Sequence, residues 1–374
     1  MSPDNGKKRI VIKIGSSSLT SMHGEISRRK LERLVDEVVQ LKDEGLEVLL
    51  VSSGAVAAGY RKLGCLERPS SLPEKQAAAS IGQGLLMEAY SELFLSHGYV
   101  ASQILITRDD FSDENRYNNA RNTINVLLER GIVPIVNEND TVTINRLKFG
   151  DNDTLSAKVA GLVEADLLII LSDIDGLYDA DPRKNPDAKL LEHVHVITPE
   201  IEQAAGESGS SVGTGGMKSK IDAVKIAMAS GIPAFLGKAG VQNILMDAVK
   251  QSAKGTYFES KDATANLNQK KQWIAFNSGP KGEIIVDDHA KTAIVERKEN
   301  LLPSNVTHVS GYFEKGSVVR IMDMEKKEVG LGIVNYSSQE LTQLTKRSNE
   351  SGEKPVVESE GLVCHIEVPI PVSL

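Results

Sequence analysis

The chain has 374 residues, 40% hydrophobic and 25% charged, an ordinary globular balance with room for two domains and a large core. Its net charge of −8 excludes a general nucleic-acid binder, which would be basic. Cys65 and Cys364 lie far apart and form no metal or redox motif, the start is polar, and no run approaches bilayer length, so a cytoplasmic protein with reduced thiols is expected.

Short β-branched runs alternate with amphipathic helices through the first two thirds. Arg9–Ile14 reads as a strand. Leu31, Leu34, Val35, Val38 and Leu41 recur at helical spacing, with Ser27 to cap the start and Gly45 the end. Val48–Ser52 is the next strand and runs into Ser53-Gly-Ala-Val-Ala-Ala-Gly59. Lys75–His97 is helical, Gln103–Thr107 a strand, Arg121–Arg130 helical and Ile132–Val136 a strand. The polar stretch 108–121 between them reads as a surface loop or subunit contact. Thr154–Glu164 is helical, and Asp166–Leu171 is a continuous apolar strand of the kind buried on both faces. His193 and His195 alternate on a strand and read as a solvent-facing pair. Gly216–Ser230 is helical and Pro233–Leu236 resumes the sheet. Strand and helix in alternation predict an α/β fold, a mainly parallel central sheet with helices on both faces.

The pattern changes near residue 255. Lys254–Gln272 is polar and reads as a linker. Gly282–Val286, Val306–Ser310, Ser317–Met322 and Glu328–Tyr336 are short strands, interrupted by one obvious helix, Asp288–Glu296. The expected division is a catalytic domain over 1–258, a linker over 259–274, a small mostly-β barrel over 275–356, and a tail over 357–374 of open structure.

Four segments bring chemistry. Lys13 ends the first strand and is followed by Gly15, whose size lets backbone N–H groups approach a phosphate. Asn137-Glu-Asn-Asp140 and Gly150-Asp-Asn-Asp153 mass carboxylates and amides on two loops. Such groups need a polar ligand, a metal or one another if they are buried. Gly213-Thr-Gly-Gly-Met-Lys-Ser-Lys220 opens a helix whose N-terminus attracts anions. Each has a plainer reading: Lys13 a solvated strand end, the glycine run a flexible loop, Asp153 a helix cap for Thr154 onward. A P-loop is excluded because Gly-x4-Gly-Lys-Ser/Thr does not occur, and a hydrolase elbow because Val51-Ser-Ser-Gly-Ala55 lacks Gly-x-Ser-x-Gly. Lysine and glycine for phosphate, with acidic and amide loops for an ammonium, point to an amino-acid kinase. None of the seven histidines falls in these loops, so no general base is on offer. That suits a carboxylate acceptor, which is already ionised at neutral pH.

Val11-Ile-Lys-Ile-Gly15, Val51-Ser-Ser-Gly-Ala-Val-Ala-Ala-Gly59, Asn137–Asp140, Gly150–Asp153 and Gly213–Lys220 together resemble, in order, the glutamate 5-kinases of the amino-acid kinase superfamily. The segments from Gly282-Glu-Ile-Ile-Val-Asp-Asp288 through Leu301-Leu-Pro303 and Val309-Ser-Gly311 to Gly316-Ser-Val-Val-Arg320 resemble a PUA domain. The resemblance spans roughly residues 9–345. It implies ATP-dependent phosphorylation of the glutamate γ-carboxylate, the first step of proline biosynthesis, with Mg²⁺ entering on ATP; from the residues themselves, Asp151 and Asp153 could orient lysines or bind a magnesium–nucleotide. ATP contacts are implied at Lys13, Ser172, Asp173, Thr214, Gly215, Gly216, Met217, Lys218, Ser219 and Lys220. Substrate contacts are implied at Ser53, Asn137, Asp140, Asp151 and Asn152. Lys13 and Lys220 would stabilise the migrating phosphoryl, and Asp153 would hold the two lysines. Also implied are a homo-oligomer (dimer or tetramer), proline as feedback inhibitor, and glutamate-5-phosphate reductase as pathway neighbour.

Two other readings stand beside this one. A different superfamily member would act on acetylglutamate, aspartate, carbamate or UMP. An RNA-binding regulator would work through the PUA-like part. Residues 272–374 carry 11 Lys and Arg against 15 Asp and Glu, a net of −4 that opposes RNA affinity.

Overall fold

A computed structural model of the chain describes residues 7–21, 25–143, 152–182, 185–206, 216–259, 267–345 and 354–364. Two units form, Met1–Asn266 and Leu267–Leu374.

The first unit opens with β1 (Arg9–Ile14), α1 (Arg28–Asp43), β2 (Glu47–Ser52), α2 (Ala55–Gly59), α3 (Leu72–Ser96) and β3 (Ala101–Ile106). It continues with α4 (Arg108–Ser112), α5 (Glu114–Glu129), β4 (Val133–Glu138), α6 (Asn152–Leu162) and β5 (Leu167–Ser172). Last come β6 (His193–Val194), α7 (Pro199–Gly206), α8 (Met217–Ala229), β7 (Ala234–Lys238), α9 (Ile244–Val249) and β8 (Thr256–Phe258). The eight strands form one sheet in the order β3-β4-β2-β1-β5-β7-β8-β6, parallel except where β7 meets β8. Ile10, Val11, Ile12 and Ile14 of β1, and Val48 to Val51 of β2, are buried because helices cover both faces of a parallel sheet. Register sets Ile14 beside Ser52, Val51 beside Val136, and Ser172 beside Lys238. The carboxyl ends of β1, β2, β4, β5 and β7 therefore open on one edge, where open α/β sheets bind ligands.

Helices α2 and α3 meet backbone to backbone. A Cβ on Gly82 would lie 1.8 Å from the Ala55 carbonyl oxygen, and one on Gly59 would lie 1.9 Å from that of Ala78. Glycine at both positions lets α3 press against the short helix that begins just after Ser53.

Several expectations need correction. Residues 108–121 are helical, belonging to α4 and α5. Thr107 and Asp110 cap α4 reciprocally, and Asp113 accepts the Arg116 N–H at the start of α5, so the Asp and Thr that suggest a loop serve as caps. Within the polar run 254–272, Thr256–Phe258 is the buried strand β8, and the Thr256 hydroxyl accepts the Leu177 N–H at 2.8 Å. Of the histidine pair, His193 is exposed and stacks on Tyr257, whereas His195 is half-buried, its Nδ1 3.1 Å from the Glu259 carbonyl.

The second unit holds α10 (Gln269–Gln272), a π-helical turn (Trp273–Asn277), β9 (Gly282–Val286), α11 (Asp288–Glu296), β10 (Val306–Gly311), β11 (Val318–Met322), β12 (Glu328–Val334), α12 (Ser338–Leu344) and β13 (Val357–Cys364). Its sheet runs β10-β9-β11-β12-β13 around a core that includes Ile284, Val286, Phe313, Val319, Ile321 and Leu362. Helix α10 occupies part of the expected linker. Helix α12 was hidden by its polar composition, and a Ser337–Glu340 capping box starts it. Strand β13 occupies part of the expected tail and pairs with β12, burying Val357, Leu362, Val363 and Cys364.

Candidate active site

Strand β1 delivers Lys13 one residue short of its end, and α8 delivers Lys220 in its first turn. Both lysines are buried, and both reach Asp153, which is 0% exposed. Lys13 Nζ lies 2.5 Å from Asp153 Oδ1, and Lys220 Nζ lies 3.1 Å from Oδ2. Burial alone would push the Asp153 carboxyl up. The charges of Lys13 and Lys220, and their hydrogen bonds, more than offset that and hold it below the usual carboxylate range. Two ammoniums on one carboxylate leave a net positive charge at the sheet edge. The plainer reading of Asp153 as a cap gives way: the residue lies inside the first turn of α6, and its side chain faces the lysines.

Asn152, its neighbour in the same turn, faces a second cluster. Its Nδ2 lies 2.6 Å from the Ser52 carbonyl, 2.8 Å from Ser53 Oγ and 2.9 Å from Asn137 Oδ1. Gly54, at φ +103, makes the turn that follows Ser53, a backbone conformation that side chains resist. Ser52 Oγ packs back on the buried Tyr90 hydroxyl at 3.0 Å, which fixes the end of β2 from below. Asp140 lines a cavity of about 280 Å³ together with Ala55, Gln83, Gln103 and Glu138. Ser53, Asn137 and Asn152 thus meet, and Asp140 borders the adjoining space.

Helix α8 starts at Gly216, which has no side chain to cap it, and a helix N-terminus carries N–H groups without intrahelical partners that attract anions. Ser219 Oγ sits 3.0 Å from Asp153 Oδ2 and 2.8 Å from the Gly216 carbonyl, tying this helix start to the lysine cluster. Met217 is half-buried and Lys218 exposed. Ser172 ends β5, and its hydroxyl donates to the exposed Asp173 at 3.0 Å. Gly15 has φ −78, open to any residue, and a Cβ there would lie 3.8 Å from Lys13 Nζ; its smallness serves access to the ammonium, not the backbone. Asp151, Thr214 and Gly215 lie outside the described residues.

Sequence reasoning missed four residues. Lys238, beside Ser172 at the end of β7, and Lys254 both pair with Asp175, at 3.6 and 2.8 Å. The amines of these lysines hold the Asp175 carboxyl below its ordinary range, Lys254 foremost through its hydrogen bond. Lys238 carries the same signal as Lys13, a lysine closing an apolar strand. Gln83 accepts a hydrogen bond from Asn137 Nδ2 at 2.9 Å; mid-helix, it gives no signal in sequence.

A parallel α/β sheet whose open edge gathers two lysines, a carboxylate and a carboxamide cluster defines a small-molecule phosphotransferase class. Residues 8–238 match the amino acid kinase family and residues 282–352 the PUA domain; the chain belongs to the amino acid kinase family. Glutamate 5-kinase 2 of Bacillus subtilis (strain 168) is 65% identical over 373 residues, covering 100% of this chain and 100% of that protein. Glutamate 5-kinase 2 of Bacillus licheniformis is 64% identical over 371 residues, 98% of this chain and 100% of that one. The solved structure of carbamate kinase from Giardia lamblia bound to AMP-PNP superposes with a TM-score of 0.51 at 16% identity, over 68% of this chain and 99% of that one, and shares the fold.

Proposed function

We propose that the protein transfers the γ-phosphoryl group of ATP to the γ-carboxylate of L-glutamate, giving γ-glutamyl 5-phosphate and ADP for proline biosynthesis. One observation carries this reading. Asn152 and Asp153 are consecutive, yet one belongs to a carboxamide and hydroxyl cluster and the other to a two-lysine cluster. A zwitterion held by the first lies next to a phosphoryl group held by the second. The full-length relatives named glutamate 5-kinase support glutamate as the acceptor.

In the reaction a γ-carboxylate oxygen forms the new bond to phosphorus while the bond to the β-phosphate oxygen breaks, and ADP departs with that electron pair. The acceptor is ionised at neutral pH, so no residue has to remove a proton. The chain's work is positioning and charge neutralisation. Lys13 and Lys220 meet the charge on the three peripheral phosphoryl oxygens. Asp153 holds the two ammoniums together, and the α8 N–H groups take the other phosphates. Ser53, Asn152 and Asp140 grip the amino acid. Mg²⁺ would enter with ATP, whose phosphates it commonly accompanies in phosphoryl transfer. Bound there, Mg²⁺ would supply further neutralisation of phosphate charge.

The test is ATP consumption with hydroxylamine present, comparing glutamate, acetylglutamate, aspartate, carbamate and UMP. Acyl phosphates trap as hydroxamates. Hydroxamate formed efficiently with glutamate supports the reading, and a preference for any other acceptor overturns it. Repeating the assay with proline tests feedback at the same site.

A further inference from the structure

We propose that Gln83 is a positioning residue for the acceptor amino acid: its side-chain carbonyl fixes the orientation of the Asn137 carboxamide and, through it, the polarity of Asn152 and Ser53. This rests on the glutamate reading above.

Hydrogen-bond direction through this cluster is anchored at both ends by main-chain groups whose roles cannot change. The Glu138 N–H is a fixed donor, and it lies 2.9 Å from Asn137 Oδ1. That atom must therefore be the oxygen, which turns the Asn137 NH₂ toward Gln83 and requires Gln83 to present its own oxygen at 2.9 Å. At the other end the Ser52 carbonyl is a fixed acceptor 2.6 Å from Asn152, so Asn152 presents its NH₂ there. The same NH₂ faces Asn137 Oδ1 and Ser53 Oγ. Three acceptors share two protons, and Ser53 Oγ accepts. Two consequences reach the substrate. The Ser53 proton is left to donate to a carboxylate, and the Asn152 oxygen, turned from Ser52, is left to accept from an ammonium.

Gln83 closes this relay from α3, at the wall of the cavity that Asp140 also lines. Without its oxygen the buried Asn137 NH₂ loses an acceptor, and the carboxamide gains nothing by holding its present orientation. A flipped Asn137 would set its NH₂ against the Glu138 N–H and the Asn152 NH₂. Helix α3 is well suited to hold Gln83 still, since Gly82, next in sequence, locks it against α2.

The experiment uses the full chain and Gln83→Met, which keeps length and loses the acceptor. Glutamate KM should rise about tenfold or more, while kcat and ATP KM change by less than about twofold. In an Asn137→Ala background the same substitution should add less than about twofold, because its route to the substrate is already gone. An unchanged glutamate KM, an equal rise in ATP KM, or a fully multiplicative double variant would overturn the proposal. Should the Met variant fail to fold, Gln83→Ala gives the same readouts, since it only enlarges a cavity that Gln83 already lines. A wild-type enzyme that makes no hydroxamate from glutamate would instead refute the reading on which this rests, so the two failures are distinct.

Discussion

Lys13 and Lys220 arrive from opposite ends of the catalytic unit's sequence and take one carboxylate oxygen each of Asp153. Two buried ammoniums would repel strongly in a poorly hydrated site, and the shared carboxylate is what allows both to be there before nucleotide arrives.

Asp153→Asn keeps the shape and removes the charge. Breaking a buried ion pair while leaving its partners in place costs about 3 kcal/mol or more, so Tm should fall by about 6 °C or more in a unit of this size. ATP should recover much of the loss, because its phosphates replace the missing negative charge and binding stabilises the folded state. Thermal melts with and without ATP measure both effects; an unchanged Tm would show that the triad carries no strain of like charge. The sign with pH follows from the depressed Asp153 carboxyl. Its contribution is present above the usual carboxylate range and is lost only as pH falls through the lowered value, so between about pH 5 and pH 8 it is constant.

Lys220→Ala removes a donor that the proposed mechanism directs at the transferred group. One preorganised donor is worth about 3 kcal/mol in the transition state, so kcat should drop at least about a hundredfold with a modest change in glutamate KM. Steady-state kinetics on the folded variant decide it, and an undiminished kcat would remove Lys220 from phosphoryl transfer.

The central strands were legible because parallel strands buried on both faces read as unbroken apolar runs, as in Val48–Val51 and Leu167–Leu171. The lysine cluster was legible for a different reason: Lys13, Asp153 and Lys220 each stand beside glycine-rich or acidic turns whose composition has few structural uses. Strand β13 escaped because only its second half buries consecutive side chains, while exposed Glu358 and Glu360 flank half-buried Ser359 and read as a polar tail. Gln83 escaped because a glutamine in a helix middle reads as surface. Only the tertiary approach of α3 to β4 reveals what it holds.

Gly82→Ala tests the backbone contact beneath the Ser53 turn. The new Cβ would lie 1.8 Å from the Ala55 oxygen, so α2 must move and carry the Ser53 turn with it. Overpacking of this kind costs about 1–3 kcal/mol, and glutamate KM should rise while ATP KM holds. Gly84→Ala is the matched control in the same helix. Its Cβ meets nothing within 4 Å, and a helical Gly→Ala gains about 0.5–1 kcal/mol. Denaturant melts of the pair should move in opposite directions, and two equal shifts would show that the α2–α3 contact is not tight.

Lys158 lies further along the helix that carries Asp153. The residue as a whole is half-buried, yet burial of its ammonium, with Arg108 adding repulsion, pulls it down to about 7. The unfolded chain keeps that proton to about pH 10.4. Between these values the unfolded state binds more protons, so stability should rise with pH across the window. Lys158→Met keeps the length and removes the charge. The variant should be the more stable at about pH 7, and its urea midpoint should rise less than wild type's between about pH 7 and pH 9. Parallel pH slopes for the two proteins would mean that burial does not govern the Lys158 ammonium in the folded state.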